Sequence, residues 1–414
     1  MKKTLMFTAL SSILFASSAY ASGFNLKEQS IAAMGNAFAG ATAGAEDITY
    51  SYFNPAGLTR HKGTNFAGGA TWIAPRSKAK SADADIPTIG HSDSDYNDNI
   101  VHPAAAPNAY VSYQVNPDWT LGFSINSPFG MITTYDENWA GRFHGTKSDV
   151  KTLVFTPMAA YKATDKLSLG AGFQMQMIRA KLKNSALLAP GVEDRTKLEG
   201  DTFDIGYTLG ALYEFTDSTR VGIGYRSEVK HKLKGKIDFA SFNPLDQDIN
   251  ARLTTPANLT IGAYHDINDK WSVMAEFGRT YWSSFEELRI RGENGLDSIT
   301  EEEWKDTTFY AVGASYQYNE KLKLRAGLAF DKSAVGERYR TPRIPDADRI
   351  WYSGGLEYAY DDNLTLNLGY TYIRAEKSRV NLDGTHLGDA TRGTLKAKYE
   401  NDIHMFGVGM SYHF

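Results

Sequence analysis

In this 414-residue chain, few residues stand where they could do chemistry on a ligand. One alternating run puts Lys305, Thr307, Phe309, Ala311 and Gly313 on one parity and Thr308, Tyr310, Val312, Ala314 and Tyr316 on the other. Read as a strand, period two places the lysine above the Phe309 ring on a single face. A second run, Leu167 to Lys183, starts its inward set with Ser168, Gln174 and Gln176, then turns apolar at Ile178, Ala180 and Leu182. Apolar walls with one or two placed charges suit an amphipathic ligand with an anionic head. Alternatively, Lys305 pairs with Glu301, Glu302 or Glu303 at a solvated loop base, and spacing alone does not decide between the two.

Catalytic and metal chemistry have less support. The nine histidines show neither HxH nor HExxH spacing, and the absence of cysteine excludes thiolate sites and disulfides. The run Asp93, Asp95, Asn97, Asp98, Asn99 resembles a calcium loop but lacks the glycine and glutamate such a loop needs at its sixth and twelfth positions. It reads as solvated. No GxSxG elbow is present, so neither an enzyme nor a cofactor- or metal-dependent protein is expected. A net charge of -4 gives no reason to expect a nucleic-acid partner.

The elements that position these residues follow from charge and periodicity. Lys2 and Lys3, the apolar stretch Leu5 to Ala16 and Ala19-Tyr20-Ala21 form a secretory leader over residues 1–21. Beyond it no run reaches the roughly 18 apolar residues of a membrane helix. Alternation dominates instead. Phe406, Val408, Met410, Tyr412 and Phe414 oppose Gly407, Gly409, Ser411 and His413, and Leu364, Leu366, Leu368, Tyr370 and Tyr372 oppose Thr365, Asn367, Gly369 and Thr371. One face suits lipid and the other a lumen. Short polar turns at 116–118, 164–166, 216–218, 268–270, 319–321 and 361–363 alternate with long polar loops near 77–102, 136–149, 184–202, 236–248, 286–303, 333–348 and 375–401. Short turns inside and long loops outside, with about fourteen strands between them, predict an all-β, antiparallel transmembrane barrel over residues 63–414.

Two segments break the pattern. Residues 22–62 are rich in Gly and Ala, do not alternate, and contain Asn54-Pro55-Ala56-Gly57; ahead of a closed barrel, their natural place is the lumen, as a hatch. The third strand runs Leu121, Phe123, Ile125 and then meets Ser127-Pro128-Phe129-Gly130. Proline lacks a ladder donor and glycine marks a bend, so the wall is expected to break there. The break is either a bulge that eases curvature or a side opening toward lipid.

The mature start Ser22-Gly23-Phe24-Asn25-Leu26, Met34-Gly35-Asn36-Ala37-Phe38-Ala39-Gly40, Asn54-Pro55-Ala56, Ser127-Pro128-Phe129-Gly130, Arg226-Ser227-Glu228-Val229-Lys230, Ile344-Pro345-Asp346-Ala347-Asp348-Arg349 and the terminal Phe414 together resemble the FadL family of long-chain fatty acid transporters. The likeness runs in order through nearly the whole mature chain. It implies a fourteen-stranded barrel in the outer membrane of a Gram-negative bacterium, an N-terminal hatch, an external groove, a deeper ligand pocket and lateral release at the strand-3 kink. It further implies that Lys305 meets the ligand carboxylate and that the family arginine position holds Asn184; ligand in the pocket is then expected to displace the hatch, Phe24 especially, and open a path to the Pro128 break. There, either a one-residue bulge turns Lys183 inward or Lys305 acts with neutral donors. The expected partners are a long-chain fatty acid or another hydrophobic small molecule, the surrounding outer-membrane lipid and lipopolysaccharide, and the barrel-assembly machinery through Phe414. The barrel is expected as a monomer. A general or polar-solute porin is the alternative.

Overall fold

The structure, a computed structural model, describes residues 23–94 and 99–414. The leader, Ser22 and Asp95, Asn97 and Asp98 of the acidic run lie outside the described residues.

The strands are, in chain order, β1 (Thr64–Ile86), β2 (Gly90–Ser94), β3 (Ala104–Gln114), β4 (Trp119–Asn126), β5 (Gly130–Thr134), β6 (Lys147–Lys162), β7 (Leu167–Ala189) and β8 (Val192–Thr216). They continue with β9 (Thr219–Arg226), β10 (Val229–Phe239), β11 (Gln247–Thr255), β12 (Asn258–Asp266), β13 (Trp271–Thr280), β14 (Glu287–Gly292), β15 (Asp297–Glu301) and β16 (Thr307–Gln317). The last are β17 (Leu322–Asp331), β18 (Arg349–Ala359), β19 (Leu364–Ala375), β20 (Ser378–Leu382) and β21 (Leu395–His413). Collinear pieces such as β4 with β5 or β9 with β10 share one stave, giving a barrel of fourteen antiparallel staves. β21 pairs with β1 from Asn65↔His413 to Asp83↔Lys396 and closes the wall. Closure leaves no long free edge for lipid to solvate.

The short turns form where the sequence places them, and the reason is local. Asn116, Asn268, Asn319 and Asp361 each accept hydrogen bonds from the backbone N–H groups two and three residues ahead, and the Thr164 hydroxyl does the same. Such side-chain bonds replace the ladder partners lost at a reversal. The long loops are less irregular than their polarity suggests. β7 and β8 stay paired out to Ala189↔Val192, β1 continues to Ile86 against β2, and β14 with β15 fills much of 286–303. Above the lipid both faces of a strand meet water, so alternation fades while pairing persists.

Outward positions are apolar, as at Phe406, Val408, Tyr310 and Val312, each at least half exposed. Inward positions are covered by residues 23–62, which form a short helix α1 (Ile31–Gly35) and two 3₁₀ turns, Ile48–Tyr52 and Pro55–Arg60. Ser30 caps α1 through the Ala33 N–H, and Asn54 caps the second turn through the Ala56 N–H, with Pro55 at its first position. Contacts from this segment reach many staves. The Asn36 amide donates to Ala314 O and Ala326 O, Asn54 donates to Ala211 O, Arg220 donates to Ala43 O and Gly44 O, and Glu46 pairs with Arg325 and Lys323. The wall makes room with glycine. Gly170, Gly210 and Gly224 lie side by side in register across β7, β8 and β9. A methyl group at Gly210 would overlap the Asn54 carboxamide, and one at Gly170 would overlap Ala56.

Candidate functional site

The break in the third stave is where the inserted segment and the wall meet. β4 ends at Asn126 and β5 begins at Gly130. β3 pairs with β4 only from Ala109 onward, so among the described residues its Ala104–Asn108 stretch has no ladder partner on that side. Residues 24–26 enter the break. The Leu26 N–H donates to Pro128 O at 2.7 Å, the Gly130 N–H donates to Phe24 O at 3.0 Å, and Asn25 forms an antiparallel bridge with Phe129. A chain segment from the lumen therefore supplies the strand bonds that Pro128 interrupts.

Polar side chains secure the same junction. The Asn126 amide donates to Gln29 Oε1 (3.1 Å) and to the Tyr110 hydroxyl (2.7 Å). In turn Gln29 donates to Ser127 O (3.0 Å), and Tyr110 donates to Gln29 O (2.6 Å). The loop after β17 holds the tip, since the Gly23 N–H donates to Asp346 Oδ2 at 3.1 Å and Asp346 pairs with Arg349 at 2.8 Å.

Phe24 is 2% exposed and fills an aromatic box. Its centroid lies 5.0 Å from that of Trp282, 5.8 Å from Phe129, 6.0 Å from Trp304 and 6.3 Å from Phe285. Trp282 and Phe285 come from the interruption between β13 and β14, and Trp304 from the one between β15 and β16. Irregular backbone at these points carries bulky rings into the lumen, where a regular strand would send every second one to lipid. The Trp304 indole donates to Glu302 at 2.9 Å, and burial pushes that carboxyl up to about 8.

Lys305 does not stand over Phe309. Residues 302–306 lie between β15 and β16 rather than in a strand, so the parity of β16 does not extend to them. The Lys305 side chain is exposed, and its N–H donates to Ala334 O at 2.9 Å. Phe309 is buried as expected, but the cation over its ring is Lys27, 4.2 Å from the centroid. Along β7, Ile178 is buried in the main core, Ala180 packs against that core and Leu182 joins a smaller cluster with Leu198, Ile237, Ile249 and Ile290. Lys183 does not turn inward either. β6 pairs with β7, and β7 with β8, without a slip through this region, so Lys183 keeps the parity of Arg179 and Lys181 while Asn184 shares that of Leu182. No bulge turns Lys183 inward. Asn184 instead lines a cavity of about 110 Å³ with mixed apolar and polar walls, where its carbonyl accepts from Arg343 at 3.3 Å.

A closed antiparallel barrel with lipid-facing rings, filled by its own N-terminal segment and broken on one side, defines a plugged outer-membrane transport barrel. The family of outer membrane transport proteins described as OMPP1/FadL/TodX matches residues 12–414, and the chain belongs to that family. Similar proteins include a long-chain fatty acid transport protein of Escherichia coli O6:H1 (29% identical, 98% of this chain and 97% of that one). A 47 kDa outer membrane protein of Pasteurella multocida is 30% identical, covering 100% and 98%. Among solved structures, a Pseudomonas aeruginosa FadL homologue superposes with a TM-score of 0.85 at 21% identity, over 95% of this chain and all of that one. The Pseudomonas putida toluene transporter TodX gives 0.67 at 21% identity, over 88% and 94%. The protein is an outer-membrane protein of Gram-negative type.

Proposed function

We propose that the chain carries long-chain fatty acids or related hydrophobic compounds passively across the outer membrane, with residues 22–62 as the hatch and the strand-3 break as a lateral exit. Relatives named for fatty acid and toluene transport support the ligand class. The mechanism rests on one observation, that Phe24, Asn25 and Leu26 are bonded into the break itself. A ligand that competes for the aromatic box around Phe24 displaces the tip and unpairs the break in the same movement. This is a population shift, driven by tighter binding to the open state than to the closed one. Transfer of an alkyl chain from water releases about 0.8 kcal/mol per CH₂, ample for capture, and the bilayer then takes the chain as readily. A polar-solute porin would need an unobstructed lumen, which residues 23–62 occupy.

The test is a reversible lock. Asn25 and Phe129 face one another as a non-hydrogen-bonded antiparallel pair, a geometry that brings Cα atoms to roughly 4.5 Å and suits a disulfide. In Asn25→Cys/Phe129→Cys, uptake of radiolabelled oleate by cells should stop under oxidation and return on reduction. Full uptake in the oxidised, verified cross-link would sink the hatch-and-side-exit mechanism.

A further inference from the structure

The outer wall carries a charge pattern that transport does not use. Along β10 the inward residues Val229, His231, Leu233 and Ile237 are buried, while Lys230, Lys232, Lys234 and Lys236 are all exposed. Their neighbours repeat the sign. Lys232 faces Arg252 of β11 in register, and Arg252 faces Arg289 of β14. Two residues nearer the long loops, Lys234 shares a row with Asn250 and Arg291. Like charges directly opposite one another destabilise a sheet, so the rows favour an anion between them. Nearby carboxylates relieve the edges of the patch but not its centre. Lys230 pairs with Glu228 at 3.0 Å, Lys236 with Asp248 at 3.9 Å, Arg289 with Glu287 and Asp297, and Arg291 with Asp297. Asp201 lies opposite Lys234 across the β8 ladder without forming an ion pair with it. Among the described residues, Lys232, Lys234 and Arg252 enter no ion pair.

The height of the patch narrows its partner. The outward residues of β8 run Tyr207, Ile205 and Phe203, each about half exposed, and then change to Asp201, Glu199 and Lys197. Asp201 stands level with Lys234 and with Arg179 of β7. The unpaired cations therefore sit where the apolar band gives way to charge, at the long-loop end of the barrel. Lysine and arginine stems reach from such a height to the headgroup level. In outer-membrane barrels that end faces the outside, where lipopolysaccharide forms the leaflet. Its lipid A joins phosphates to a multiply acylated disaccharide. Phosphates match the cation rows, and acyl chains match the rings beneath them. A soluble anion would gain the first contact without the second.

We propose that the outward faces of β10, β11 and β14 form a lipid A site, in which Lys232, Lys234 and Arg252 hold a phosphate and the apolar staves below take the acyl chains. The full chain, refolded from urea into detergent and so free of bacterial lipid, tests it by native mass spectrometry with lipid A and with dephosphorylated lipid A. Lipid A should bind about tenfold or more tighter than the dephosphorylated form. In Lys232→Gln/Lys234→Gln/Arg252→Gln that preference should fall to within about threefold, whereas Lys166→Gln/Lys270→Gln/Lys321→Gln, at the short-turn end, should keep it. Equal binding of the two lipids by the unaltered protein, or a preference that survives the first triple substitution, overturns the site. So does an equal loss in both triple variants, which would mean that net charge alone attracts the lipid. Millimolar inorganic phosphate should leave lipid A bound; displacement by it would reveal a general anion patch and overturn a lipid site. The first comparison needs no variant, so a misfolded triple mutant leaves the proposal falsifiable.

Discussion

Replacing Phe24 by alanine should unseat the hatch tip without opening the barrel. The ring is 2% exposed and touches four other aromatic rings. Truncating a buried phenylalanine costs about 3–5 kcal/mol. What remains to hold the tip is chiefly three backbone bonds, Gly23 to Asp346, Leu26 to Pro128 and Gly130 to Phe24, worth roughly 1 kcal/mol each. The ring thus supplies about half or more of the seating energy, and its loss should raise the detached fraction by a factor of roughly 10² to 4 × 10³, at tenfold per 1.4 kcal/mol. The chain has no native cysteine, so Asn25→Cys gives a single reporter thiol. Maleimide labelling at that thiol follows local opening when reclosing is fast. The rate should rise at least a hundredfold in Phe24→Ala, while heat-modifiable migration on gels still reports a folded barrel. A change below about threefold in a folded barrel would refute the idea that the aromatic box holds the tip.

Other consequences are open to simpler measurement. Glu46→Gln removes a buried partner of Arg325 and Lys323 but leaves them Glu357, so a loss near 3 kcal/mol is expected, read as a lower midpoint of thermal unfolding. Gly210→Ala forces a methyl into the Asn54 carboxamide and should cost about 1–3 kcal/mol in the same assay. The loop region around Glu302 and His144 should be most stable between two pH limits. Glu302 is raised from 4.5 to about 8, chiefly by burial, so its contribution is complete below pH 4.5 and lost as pH climbs through 8. His144 is lowered from 6.5 to about 3, again by burial, so its contribution holds above pH 6.5 and fades as pH falls toward 3. Tryptophan fluorescence followed against pH should lose the alkaline limb in Glu302→Gln and the acid limb in His144→Gln; unchanged limbs would count against both assignments.

The architecture was legible because its signals are local. An Asn, Asp or Thr at five of the six short turns performs the same backbone capping wherever it occurs, and period two on β7 and β16 sorts Ile178, Leu182 and Phe309 inward without knowledge of their neighbours. The break at Pro128 was legible for the same reason. The site was legible only in part. Lys305 was misplaced because β16 starts at Thr307, and a strand's start is set by its pairing partners rather than by its own residues. Lys183 followed the intact register, which is a property of three strands together. Arg343 meets Asn184 across 159 positions of sequence, and Gln29 meets Asn126 across 97. Nothing in the spacing along one chain reports such meetings. The rings Trp282, Phe285 and Trp304 sit in irregular backbone, where neither periodicity applies.

The glycine seam across β7, β8 and β9 bears on how the molecule is made. At Gly170, Gly210 and Gly224 the wall has no side chains of its own, and what packs there is Phe53 through Ala56. An empty barrel would carry a soft stripe along three adjacent staves, with bare backbone turned toward water. A route that closed the cylinder before the segment was seated would leave that stripe unpacked until the segment arrived, so seating Phe53 to Ala56 and completing these staves are energetically coupled.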